Sequence, residues 1–112
     1  MTDRIMSHEE TGILPVINIP EAGLAESVAK ALRDGGLNSI EVTLRSPDSL
    51  ESIRLIREKY PDMTVGAGTV LSKRTVDEAL KAGAAFIVCP GYDEDIVDYC
   101  ISKKVQVIPG CT

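Results

Sequence analysis

Five stretches of the chain are apolar at nearly every position: "ILPVINI" (13–19), "SIEVTL" (39–44), "TVGAGTV" (64–70), "FIVCPG" (86–91) and "VQVIPG" (105–110). They are rich in Val and Ile, and their hydrophobicity is close to continuous. That pattern predicts parallel strands covered on both faces rather than half-exposed antiparallel ones. Between them apolar residues return at helical spacing. Leu24, Val28, Ala31 and Leu32 define the first stripe, and Leu50, Ile53 and Ile56 the second. Val76, Ala79 and Leu80 form the third; Ile96, Val97, Cys100 and Ile101 form the fourth. Punctuation falls at the same limits. Ser46-Pro47 offers an N-cap followed by proline, and Ser72 offers another N-cap. Gly35-Gly36 and Gly83 stand where helices should stop. The expected order is β-α-β-α-β-α-β-α-β, an α/β fold with right-handed crossovers and a parallel sheet.

One strand breaks the apolar rule. In "SIEVTLRS" Ile40, Val42 and Leu44 point one way, which sends Glu41, Thr43 and Arg45 the other. Two architectures fit the element string, an open doubly wound sheet and part of a (β/α)8 barrel. No glycine-rich phosphate fingerprint follows the first strand, where a dinucleotide-binding sheet would carry one. In a barrel, inward residues near the C-terminal ends of strands line the active site, so Glu41, Thr43, Arg45 and Thr69 gain a purpose there. The barrel is the better reading. An ordinary strand-end ion pair remains the plain alternative for Glu41 and Arg45.

Composition narrows the function classes. With 112 residues, 44% hydrophobic and 26% charged, the chain suits one globular domain. Residues 1–12 form a polar leader and 13–112 the partial barrel domain. The leader contains His8, read as a solvated residue without a role, and lacks the apolar segment of a signal peptide. A cytoplasmic location is expected, with no membrane partner. The net charge of −5 and the lack of a basic cluster argue against nucleic acid. Cys89, Cys100 and Cys111 match no zinc or redox spacing and are expected to be buried structural thiols. No metal or other cofactor is implied.

Taken together, "LPVI" (14–17), "IEVTLRS" (40–46), "VGAGTVLS" (65–72), "IVCPG" (87–91) and "VIPG" (107–110) resemble the class I aldolases acting on 2-keto-3-deoxy-6-phosphogluconate and 4-hydroxy-2-oxoglutarate. The resemblance runs from residue 13 onward. It implies a (β/α)8 barrel, of which this chain holds the first four β/α units plus strand five. It implies cleavage of a 2-keto-4-hydroxy acid to pyruvate and an aldehyde through a lysine Schiff base, usually in a trimer. Carried residue by residue, it makes Glu41 the proton-transfer group and Arg45 and Thr69 substrate-binding residues, with Pro90 shaping the wall after strand four. The partner implied is a small anionic 2-keto acid. Asn18 departs from relatives that carry arginine near the end of strand one, which leaves substrate preference open.

The resemblance places the Schiff-base lysine on strand six. Lys30, Lys59, Lys73, Lys81, Lys103 and Lys104 all fall on predicted helices or their ends, so no Schiff-base lysine is expected within these residues. Two readings follow: an aldolase whose remaining half lies elsewhere, or a catalytically silent half-barrel with a binding or assembly role. Strands one and five should be open edges prone to self-association, and the would-be interior face should be open to water.

Overall fold

The computed structural model describes residues 11–111. Its elements are β1 (Val16–Ile17), a 3-10 turn (Ala22–Leu24), α1 (Ala25–Asp34), β2 (Ser39–Thr43) and α2 (Ser49–Lys59). They continue with β3 (Thr64–Gly68), α3 (Lys73–Ala82), β4 (Phe86–Cys89), α4 (Glu94–Ser102) and β5 (Gln106–Pro109). The leader's residues 1–10, with His8, lie outside the described residues.

All five strands pair in parallel in the order β1-β2-β3-β4-β5. A doubly wound sheet reverses its strand order at a switch point; this sheet does not. Each strand lies beside the next one in sequence, so right-handed crossovers carry every helix to one face. The result is an arc of a (β/α)8 barrel, four β/α units and strand five.

The core lies between sheet and helices. Ile40 and Val42 of β2, Val65 and Ala67 of β3, and Ile87 and Cys89 of β4 pack there against Ala25, Ala29, Ile53, Ile56, Val76, Ala79, Ile96 and Cys100. Two expected stripes hold only in part: Val28 and Leu32 pack against the core, as do Ile96 and Cys100, but other members do not. Leu24 and Ala31 are exposed and the first helix turns Ala25 and Ala29 inward instead, because small side chains let it sit close to the sheet. Ile101 is likewise exposed, in the last turn of α4.

Helix ends follow local chemistry. Ser72 Oγ accepts the Thr75 N–H at 3.1 Å, and Gly83 closes α3 in the left-handed region at φ 110°. The expected cap at Ser46-Pro47 is absent, since α2 begins two residues later, after Asp48. Ser46 and Asp48 serve the neighbouring loop instead. Ser46 Oγ donates to the Ile19 carbonyl at 2.7 Å, and Asp48 Oδ2 accepts the Ala22 N–H at 2.9 Å. These bonds tie the β2–α2 loop to the segment that follows β1.

β1 is shorter than the expected 13–19. Pro15 lends only its carbonyl, which accepts the Glu41 N–H at 2.9 Å, and beyond Ile17 the chain turns to bury Ile19. β1 and β5 are the sheet edges, as expected. Cys89 and Cys100 are buried, but Cys111 is exposed, because it follows the last strand where no helix covers it. Among the described residues no helix is long and apolar enough to cross a membrane.

Candidate active site

β2 is buried at all five of its residues. Alternation puts Ile40 and Val42 in the helix-side core and leaves Ser39, Glu41 and Thr43 on the opposite face. The expectation that this face is open to water fails at its centre: Glu41 is only 6% exposed and Thr43 only 5%. The cause is in β3, whose residues facing the same way are Gly66 and Gly68. A Cβ on Gly68 would stand 1.8 Å from Glu41 Oε2, so the carboxylate lies flat over that glycine. A Cβ on Gly66 would stand 2.2 Å from the Phe86 ring, so the ring covers Gly66. The room that the glycines create is therefore filled by the protein's own side chains.

Glu41 has no hydrogen-bond donor or cation at its carboxylate among the described residues, and burial pushes its pKa above the ordinary value. The strand-end ion pair with Arg45 does not form. An unpaired buried carboxyl is costly, and such groups concentrate where chemistry needs a tuned acid or base.

Arg45 follows β2 and is exposed. Its Nε donates to Thr69 Oγ1 at 3.4 Å, so strands two and three bring these side chains together at the sheet's C-terminal rim. The neighbouring loop is fixed by Ser49, whose hydroxyl donates to the Thr43 carbonyl at 2.8 Å, while Leu44 N–H donates to the Gly68 carbonyl at 2.9 Å. Thr69 holds φ 60°, a left-handed conformation that β-branched residues rarely adopt. It does not cap α3, which is the role of Ser72.

Pro90 sits apart. It is exposed after β4 and lines a small cleft with Val70, Leu71, Tyr92, Asp93 and Ile96, a cleft that Glu41, Arg45 and Thr69 do not line. Its carbonyl would meet a Cβ on Gly110 at 2.3 Å, which shows how closely the end of β5 approaches. The sequence reading missed Gly68 and Phe86 as partners of the site. Their signal was register: once β2, β3 and β4 are aligned, Glu41, Gly66 and Phe86 share one row.

All six lysines are exposed and lie on helices or in the turn after α4, and none is on a strand. Among the described residues no cluster of three or more His, Cys, Asp or Glu side chains could hold a metal ion.

The family model for KDPG and KHG aldolase matches residues 4–112. A 2-dehydro-3-deoxy-phosphogluconate aldolase of Zymomonas mobilis is 42% identical over 98 residues, covering 88% of this chain and 47% of that protein. The enzyme of the same name from Pseudomonas aeruginosa is 42% identical over 101 residues, 90% of this chain and 46% of its own length. The crystal structure of a Zymomonas mobilis 2-keto-3-deoxy-6-phospho-gluconate aldolase superposes with a TM-score of 0.83 at 42% identity, covering 87% of this chain and 47% of that one. A Legionella pneumophila KDPG aldolase, with pyruvate captured as a covalent carbinolamine intermediate, gives 0.83 at 35% identity over 87% of this chain and 47% of that one. The chain spans about half the length of the curated relatives it matches. With the family model matched over nearly all of its residues, the chain belongs to the KDPG and KHG aldolase family.

Proposed function

We propose that these residues supply the acid–base and substrate-binding half of a Schiff-base aldolase that cleaves 2-keto-4-hydroxy acids, such as 2-keto-3-deoxy-6-phosphogluconate or 4-hydroxy-2-oxoglutarate, to pyruvate and an aldehyde. The observation that carries this reading is Glu41: a buried carboxyl without a partner among the described residues, on β2, with Arg45 and Thr69 paired at the rim after β2 and β3. Raised by burial, the carboxyl stands closer to neutrality, where a general base both accepts and returns protons efficiently. Once a lysine from the other half of the barrel has formed an imine with the 2-keto group, Glu41 takes the proton from the C4 hydroxyl. The C3–C4 bond then breaks, the aldehyde leaves, and the electron pair passes into the pyruvate enamine. Arg45 pairs with a substrate carboxylate or phosphate, for which a guanidinium offers two parallel donors. Thr69 adds a hydroxyl at the same rim, and Pro90 forms the neighbouring wall.

The test is Glu41→Gln in a polypeptide that contains both halves of the barrel. Its kcat should fall by about 10²–10⁴-fold, the usual contribution of a positioned acid–base group, with substrate binding little changed. An undiminished kcat removes Glu41 from the mechanism.

A second reading rests on the lysines. With all six exposed and none on a strand, the 112 residues by themselves form a catalytically silent half-barrel that binds or assembles.

A further inference from the structure

Glu41 of β2, Gly66 of β3 and Phe86 of β4 are register partners across three adjacent strands, with their side-chain directions on one face. Phe86 is fully buried yet stands outside the helix-side core that takes its neighbours Ile87 and Cys89. Its ring crosses from β4 to lie over Gly66, where a Cβ would come within 2.4 Å of three ring atoms. Glu41 reaches over the same strand from the opposite side and lies on Gly68. Ring and carboxyl thus share the surface of β3, one two-residue step apart, about 6.6 Å along the backbone.

We propose that Phe86 is a positioning residue for Glu41. Its ring, admitted by Gly66, closes the space above β3 so that the Glu41 side chain must lie over Gly68 and stay out of water. An aromatic ring is suited to this work, because it excludes water over a wide area and offers the carboxylate no donor. The other groups on the row cannot substitute. Val16 is an exposed residue of the two-residue edge strand and Gln106 an exposed residue of β5; Ser39 and Thr43, on the same face, are small, and Thr43 spends its hydroxyl on the Ile17 carbonyl at 3.4 Å. Arg45, the charged residue that follows β2, turns to Thr69 at the rim. The Glu41 carboxyl therefore titrates against apolar surface and glycine backbone, without a counter-charge among the described residues.

This inference deepens the role given to Glu41, but its test reads a titration and not turnover, so either can fail alone. The 112-residue chain, labelled with 13C at glutamate side-chain carboxyls, is titrated by NMR, with the Glu41 signal assigned by its loss in Glu41→Gln. In the parent the Glu41 midpoint should lie above those of the exposed glutamates. In Phe86→Leu, which keeps apolar bulk but loses the reach over Gly66, it should move back most of the way to the ordinary carboxylate value. Phe86→Ala should complete the move. Ile87→Val, the next residue on the same strand but facing the helices, should leave the midpoint in place while loosening the core. An unchanged Glu41 midpoint in folded Phe86→Leu overturns the proposal, as does an equal shift in Ile87→Val. Should Phe86→Ala not fold, the Phe86→Leu result alone decides.

Discussion

The Glu41 carboxylate occupies the space that a side chain on Gly68 would need: Oε2 lies 1.8 Å from the place that a Cβ of residue 68 would take. Residue 68 therefore sets where the carboxylate rests. In Gly68→Ala the Glu41 side chain must lift from the sheet or the strand must shift. Overpacking of this kind costs about 1–3 kcal/mol, which a lower urea midpoint at unchanged m-value should show.

Burial raises the Glu41 pKa, which fixes the sign of its contribution to stability. In the unfolded chain the carboxyl ionises near its ordinary value, while in the folded chain it holds its proton to higher pH. Stability from this group is therefore greatest below the unfolded value and falls as pH rises through the folded one. Glu41→Gln removes that penalty. The difference in unfolding free energy between Glu41→Gln and parent should be flat in acid and then rise in favour of the variant as pH is raised from 4.5, the ordinary glutamate value, towards neutrality. A pH-independent difference would show that the carboxyl is not desolvated in solution.

Thr69 holds a left-handed backbone and receives the Arg45 Nε–H. Thr69→Gly should relieve about 1–2 kcal/mol of strain, partly offset by the wider freedom of glycine when unfolded. It also removes the hydroxyl. The expected result is a chain of equal or greater stability that, joined to the rest of the barrel, shows a raised KM. Arg45→Ala should raise KM further with little change in kcat, and a normal KM would make it a structural residue.

Treatment of the 112-residue chain with pyruvate and borohydride should leave its mass at the parent value. Solvent-exposed lysines on helices lack the apolar pocket that lowers an amine's pKa enough to attack a ketone near neutral pH. A single reduced pyruvate adduct, mapped to one lysine and formed above the level of a denatured control, would contradict this.

β1 and β5 are the two edges of the sheet, with Pro15 just before the first and Pro109 at the end of the second. Self-association is expected, most simply as a two-fold dimer. Light scattering at micromolar concentration should give a mass above the 12.0 kDa of one chain. A cooperatively unfolding monomer would show that the edges are tolerated.

Much of this was legible in the sequence because continuous apolar runs and helical stripes are local signals. β2, β3 and β4 begin at their expected first residues, and Ser72 and Gly83 bound α3 as glycine and serine chemistry dictates. The shortfalls have longer-range causes. β1 shrinks because pairing is decided by β2, which meets only Val16 and Ile17 in register. Ser46 is drawn from its expected cap by the Ile19 carbonyl, 27 residues away in sequence. Within the candidate site, Glu41, Arg45 and Thr69 stood out by chemistry, whereas Gly68 and Phe86 could be found only once strands were laid side by side. A glycine that makes room looks the same in sequence whether the room is for a ligand or for a neighbouring side chain.

The unreversed strand order also governs how such a chain can be assembled in time. Among the described residues each β/α unit finds its docking surface on the unit made just before it. Structure can therefore accrete in step with synthesis, each unit sheltering under its successor as it emerges. Protection should then be graded along the array, with amide exchange slowest in β2, β3 and β4, each flanked on both sides, and fastest at β1 and β5.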